Sequence, residues 1–303
     1  MDTIYLSENY SNSLPCALAA GNFDGVHKGH KEVIKTLLET AEKYGLTPAI
    51  INFEPNPYEY FKQIKNNYRI THLSEKQKLF SKEGIKKLFI AKFDKNFSNI
   101  SANEFLKKII SEKLNAKKLI TGEDFVFGKN REGNSEYIKN NKFDFDYQQV
   151  ELLHSQQKKK YSSTEIRELI NKGEIKKAND MLGHEFFIIE KVISGNKNGR
   201  KLGFPTANLN IQKYIKPPYG VYRTETEVDG KTYNSISNFG VKPTINNNSE
   251  ELLETHILNF SENIYGKIIA VKFYDFIRKE IKFNSLDELK KQITLDIKPL
   301  TYE

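Results

Sequence analysis

Cysteine occurs once in this 303-residue chain, as Cys16, so no intramolecular disulfide and no thiolate zinc site can form. Nowhere is there an apolar run long enough to span a bilayer. The start, Met1-Asp2-Thr3-Ile4, lacks a basic segment followed by an apolar stretch. These absences predict a soluble, untargeted cytoplasmic protein with no membrane partner. Internal repeats and low-complexity tracts are also missing. Basic residues outnumber acidic ones by 47 to 39, a net charge of +8, yet lysine clusters tightly only at Lys158-Lys159-Lys160. Spread-out lysine is mostly solvated surface. The balance suits polyphosphate substrates, and charge alone leaves nucleic acid open.

What is present suffices for two domains, each able to bury its own core. The apolar run Cys16-Ala17-Leu18-Ala19-Ala20 leads into Gly21-Asn22-Phe23-Asp24-Gly25-Val26-His27-Lys28-Gly29-His30. From His30, apolar residues recur at helical steps through Val33, Ile34, Leu37, Leu38 and Ala41 to a terminating Gly45. Strand, glycine-rich turn and helix start together form an anion site, because backbone N–H groups and the positive helix end converge where glycines allow a phosphate to approach. His27 and His30, on one side of the first turn, can donate to a phosphoryl oxygen. As an isolated tetrapeptide, H-x-G-H would be an ordinary loop.

Further strands are expected at Thr47 to Phe53, Leu88 to Phe93 and Lys118 to Thr121, with helices around Leu73–Glu83 and Ala102–Leu114. This alternation predicts a parallel, doubly wound α/β sheet, whose ligands bind beyond the carboxyl ends of the strands. Near Leu182-Gly183 the texture changes to short strands and turns. The boundary is placed there, giving domains 1–183 and 184–303. Val228-Asp229-Gly230-Lys231 reads as a two-residue hairpin, and Leu252 to Phe260 with Lys267 to Phe276 as a further strand pair. Ser285-Leu286-Asp287-Glu288 reads as a capping box opening a helix with Leu286, Leu289 and Ile293 on one side. The second half is therefore expected to be a small antiparallel barrel plus a terminal helix.

The full ten residues match the G-x-F-D-G-V-H-x-G-H signature of the HxGH nucleotidyltransferases, and the chain resembles the bacterial FAD synthetases, the bifunctional riboflavin kinase/FMN adenylyltransferases. Three more segments carry the resemblance. Gly122-Glu123-Asp124-Phe125-Val126-Phe127-Gly128 is similar to G-x-[ND]-F-x-F-G; it lacks the Ser or Thr of a P-loop. Ser162-Ser163-Thr164-Glu165-Ile166-Arg167, which alone reads as a capping box, is similar to S-S-T-x-I-R. Gly199-Arg200-Lys201-Leu202-Gly203-Phe204-Pro205-Thr206-Ala207-Asn208 is similar to the G-x-x-x-G-F-P-T-A-N segment of riboflavin kinases. Asn238 to Thr244 and Leu253 to Leu258 follow in family order.

The resemblance implies a Rossmann-like nucleotidyltransferase domain and a β-barrel kinase domain. Their activities would be phosphorylation of riboflavin to FMN, then adenylyl transfer from ATP to FMN to give FAD and pyrophosphate. It assigns His27 and His30 to adenylyl transfer, with Gly21, Phe23, Asp24, Gly25, Gly29, Asp124, Ser163, Thr164 and Arg167 around the nucleotide. In the kinase it assigns Glu254 as the base for the riboflavin 5′-hydroxyl and Thr206 and Asn208 as Mg²⁺ ligands. Gly199, Gly203, Phe204, Pro205 and, weakly, Arg278 are placed around nucleotide and flavin; His256 is read as a structural neighbour. ATP is the co-substrate and Mg²⁺ the cofactor. No nucleic acid is expected as partner, and weak self-association is compatible with the sequence. Asn52 and Asn56 depart from the Thr and His usual in the family, which leaves the alternative that only the kinase half is active; a second alternative is a flavin- or RNA-binding regulator that keeps the fold and uses the basic surface.

Overall fold

A computed structural model describes residues 1–151, 161–195, 199, 203–243 and 249–300. The lysine cluster at 158–160 and Arg200, Lys201, Leu202 and Thr244 lie outside the described residues. By packing, the chain divides into one unit of Met1–Lys65 with Lys76–Ser162 and another of Asn66–Glu75 with Ser163–Glu303.

The first unit is built on six parallel strands: β1 (Asp2–Tyr5), β2 (Cys16–Ala20), β3 (Thr47–Glu54), β4 (Lys87–Lys92), β5 (Ala116–Gly122) and β6 (Asp146–Val150). Their order is β1-β4-β3-β2-β5-β6. β2 consists of small apolar side chains and is wholly buried, as a central strand covered on both faces requires. Helix α1 (Lys28–Tyr44) buries Val33, Ile34, Leu37 and Ala41, and ends at Gly45 in the left-handed region (φ 62°), whose N–H caps the carbonyls of Ala41 and Glu42. The chain runs outward from β2 through β3 and β4, then returns to the other side of β2 at β5. That reversal opens a crevice at the carboxyl ends of β2 and β5. The expected Ala102–Leu114 helix starts with an α turn at Ala102–Glu104 and continues in π geometry over Phe105–Lys113.

The second unit carries β7 (Phe186–Lys191), β8 (Ala207–Asn210), β9 (Gly220–Val228), β10 (Lys231–Pro243), β11 (Ser249–Ile257) and β12 (Ile268–Arg278), in the order β7-β12-β9-β10-β11-β8. A bridge from Ile193 to Asn208 joins the two ends, so the antiparallel sheet is a nearly closed barrel. The expected hairpin is present: Asp229 (φ 49°) and Gly230 (φ 80°) both take the positive φ of a type I′ turn. The expected pairing of the next two strands is not. β11 pairs with β10 and β8, whereas β12 crosses to lie between β7 and β9, which is what closes the barrel.

Tyr222, Phe239, Leu253, Ile257 and Phe273 fill the barrel interior. Beside them lies a ladder of buried hydroxyls in which Thr224 meets Ser235 (2.8 Å) and Ser237 (2.9 Å), and Ser237 meets Thr255 (2.9 Å). The same core takes in Ile166 and Ile170 from the Ser163–Asn171 helix, Ile175, Ala178 and Leu182 from the Ile175–Leu182 helix, and Ile70. Glu75, also of this unit, accepts from the Ile189 N–H (2.8 Å) and the Tyr214 hydroxyl (2.5 Å). The terminal helix Leu286–Ile297 starts at Ser285, whose Oγ accepts from the Glu288 N–H (3.2 Å), but Glu288 reaches back to the N–H of Asn284 rather than of Ser285. Ile293, Ile297 and Leu300 pack on Val221 and Ile236. Leu286, expected on the packed side, is 68% exposed, because the C-terminal half of the helix carries the packing.

Candidate active sites

β2 delivers the chain at Gly21 to the crevice, and the turn that follows is tight. Phe23 (φ 48°), Gly25 (86°) and Val26 (40°) all adopt left-handed backbone. For a β-branched residue this is costly, roughly 1–3 kcal/mol, so the surroundings must hold it. Gly21 fits beneath the Phe23 ring, where a Cβ would lie 3.1 Å from that ring. Asp24 is buried within the turn. His27 is the N-cap of α1, its Nδ1 accepting the backbone N–H of His30 at 3.3 Å. With Nδ1 an acceptor, the neutral imidazole carries its proton on Nε2 and keeps one ring donor. His30 stacks on it, with ring centroids 3.6 Å apart and planes 18° from parallel, and meets the Phe23 ring edge at 5.2 Å. Gly29 allows this, since a Cβ there would lie 3.2 Å from the His27 ring. Two histidines therefore stand at the positive end of a long helix, where anions bind.

Asp124 is exposed two residues beyond β5, on the other side of the crevice. Its loop is fixed by Phe127, which exchanges backbone hydrogen bonds with Gly133 and stacks on Phe125 at 5.3 Å. Tyr161 packs against the histidine turn, its Cβ 3.5 Å from where a Gly29 Cβ would sit and its ring 5.9 Å from the Lys28 ammonium. This leads the chain from the histidine turn to Ser162, the last residue of the first unit. Ser163, Thr164 and Arg167 themselves belong to the second unit by packing. There the Arg167 Nε donates to the Tyr68 carbonyl (2.9 Å), and the guanidinium lies 4.0 Å over the Tyr68 ring.

Sequence reasoning missed the support beneath the turn. Asn52, at the end of β3, is fully buried, and its Nδ2 donates to the carbonyls of Gly21 (2.9 Å) and Asn22 (2.8 Å). Lys76 donates to Asn52 Oδ1 at 3.1 Å. The family departure at this position was the available signal. The other departure, Asn56, caps helix α2 (Pro57–Lys62): its Oδ1 accepts from the Tyr58 N–H (2.9 Å), and Glu59 accepts from the Asn56 N–H (3.2 Å). An aromatic wall of Phe53, Phe93, Phe97, Phe105 and Phe127 at the carboxyl ends of β3 to β5 also escaped notice.

In the barrel, strand register builds a polar row. Asn208 of β8 and Asn238 of β10 both lie opposite Glu254 of β11, on the face away from the interior Leu253 and Thr255. Asn208 is buried against Gly195, where a Cβ would fall 2.4 Å from Nδ2. Beside the row opens a cavity of about 280 Å³, lined by Pro205, Thr206, Asn208, Thr255, Phe260 and Tyr265 among others. The loop before β8 is held over it by His256, whose Nδ1 pairs with the Pro205 carbonyl (2.8 Å) and whose ring meets Phe204 at 5.5 Å. The Phe204 N–H bonds the Gly199 carbonyl (2.9 Å), and Gly203 takes φ 89°. Arg278 lies opposite Val221, which lies opposite Asn238, so it stands at the far end of the row. Its Nε and Nη2 grip the buried Asp296 carboxylate at 3.0 and 2.6 Å, tying the terminal helix to β12.

Two family models divide the chain much as these sites do. FAD synthetase matches residues 10–165, and riboflavin kinase matches residues 182–301. The bifunctional riboflavin kinase/FMN adenylyltransferase of Haemophilus influenzae is 37% identical over 295 residues, covering 93% of this chain and 92% of that protein. The chain belongs to the bifunctional riboflavin kinase/FMN adenylyltransferase family. The Bacillus subtilis family member is 38% identical over 287 residues, covering 92% of this chain and 89% of its own. A crystal structure described as a macrolide-efflux protein from Streptococcus pneumoniae superposes with a TM-score of 0.86 at 29% identity, covering 98% of this chain and 97% of its own. Among the described residues of this family member, no helix is long and apolar enough to cross a membrane.

Proposed function

We propose that the chain converts riboflavin to FMN in the second unit and FMN to FAD in the first, using ATP in both steps. The reading is carried by the presence, on one chain, of a stacked histidine pair at a helix N-terminus and an amide–carboxylate row of Asn208, Glu254 and Asn238 beside a cavity. In the first step Glu254 takes the proton of the riboflavin 5′-hydroxyl while that oxygen attacks the γ-phosphorus of ATP and ADP leaves. In the second, a phosphate oxygen of FMN attacks the α-phosphorus of ATP, and the bond to the pyrophosphate oxygen breaks. His27 and His30 donate to the transferring group, and the N-terminus of α1 adds its partial positive charge. Neither histidine acts as a base, because a phosphate monoester is already ionised.

Thr206 and Asn208 offer hard oxygen donors, the chemistry that Mg²⁺ takes when substrate phosphates and water complete its shell. Bound there, Mg²⁺ supplies positive charge to the phosphates. A cytoplasmic location belongs to the same proposal. The test is to incubate the protein with riboflavin, ATP and Mg²⁺ and separate the flavins by chromatography. FMN followed by FAD is expected; finding neither ends the proposal.

A further inference from the structure

The adenylyl-transfer turn needs an external hold, because Phe23 and Val26 sit at positive φ without being glycine. Packing supplies part of it through Phe80 of α3 (Leu73–Glu83), whose ring meets that of Phe23 at 5.6 Å. Asn52 adds polar support. Both Asn52 hydrogen bonds to the turn go to consecutive carbonyls, those of Gly21 and Asn22, immediately before the strained residues. A threonine has one hydroxyl proton and could hold only one of them.

An asparagine amide can be turned over, presenting oxygen where nitrogen stood, and an oxygen facing two carbonyls would push the turn away. Lys76 prevents this. Its ammonium can only donate, and it donates to Asn52 Oδ1 at 3.1 Å, which leaves Nδ2 for the carbonyls. Lys76 is 2% exposed, and burying an ammonium is expensive unless it is hydrogen-bonded. An apolar residue of the same length would pack into α3 at less cost. The geometry points to a specific task for the charge: we propose that Lys76 and Asn52 are positioning residues for adenylyl transfer, orienting one amide that fixes the turn carrying His27 and His30. The inference rests on the adenylyltransferase reading of the first unit.

The test uses the full chain and follows FAD formation from supplied FMN, with riboflavin phosphorylation by the same preparation as the folding reference. Lys76→Met is expected to lower kcat for FAD formation by about 10–100-fold, the cost of a small misplacement in the site. KM for ATP should change less than kcat. Lys76→Arg, which keeps a donor, should restore most of the rate. Asn52→Leu should match Lys76→Met, and the double variant should be no slower than either single one, since both act through the same bond. The proposal is overturned if the wild type makes FAD and both single variants stay within twofold of it, or if their effects multiply. Equal loss of both reactions, with a lowered unfolding temperature, would overturn it too by showing a merely structural role. A wild type that forms FMN but no FAD would remove the adenylyltransferase reading itself, and the inference with it.

Discussion

Cys16 shows how completely the centre of the parallel sheet excludes water. Its thiol is buried, donates to the Leu114 carbonyl at 3.2 Å, and is pushed up to about 12 by burial, partly offset by the charges of Lys87 and Lys117. The thiolate is therefore scarce at any pH below that value. Native protein at pH 8 is expected to resist a thiol reagent that labels one cysteine after unfolding; rapid native labelling would contradict the burial. Arg278 makes the opposite case, a charge whose partner is visible only in the fold. It was assigned to flavin from family order, yet its guanidinium is held by Asp296, eighteen residues on and buried. Truncating one partner strands the other, so Arg278→Met should cost roughly 3 kcal/mol in urea unfolding, and Arg278→Met/Asp296→Leu should recover most of it. If Arg278→Met instead raises KM for riboflavin without loss of stability, the pairing is not its role. Neither contact is legible in sequence, because each joins residues far apart in the chain.

Elements were easier to read where local chemistry decides them. α1 follows from its apolar steps and Gly45, and the type I′ hairpin from Asp229-Gly230, since both signals lie within a few residues. The expected pairing of β11 with β12 is absent; a glycine-containing connection looks the same whether the next strand folds back or crosses the barrel. The histidine turn falls between these cases. Its ten residues announced the site, but its shape depends on Asn52 and Lys76, which no local rule marks. Gly29 is the residue that lets the His27 ring fold over the start of α1, so Gly29→Ala should slow FAD formation by about 10–100-fold and leave riboflavin phosphorylation unchanged. Steady-state rates of the two half-reactions check this; an unchanged rate of FAD formation would mean the ring has room to move.

At the scale of the whole molecule, the packing of the second unit reaches back beyond residue 184. Ile166, Ile170, Ile175, Ala178 and Leu182 belong to the barrel core, as does Ile70. Each large apolar side chain withdrawn from that core costs about 2 kcal/mol. A fragment of residues 163–303 should therefore unfold at clearly higher urea than one of residues 184–303; equal midpoints would show that the two helices add nothing. The texture change near Leu182-Gly183 marks where strands begin, which is a property of local sequence, whereas a core is defined by contacts. In the proposed function one chain holds two separate chemistries, a base in one and none in the other. Its most direct test measures both half-reactions on Glu254→Gln and His30→Ala. Glu254→Gln should lower FMN formation by about 10²–10⁴-fold and spare FAD formation from supplied FMN. His30→Ala should slow FAD formation by about 10²–10³-fold and accumulate FMN from riboflavin. Two folded variants that each lose both reactions alike would contradict the two-site assignment.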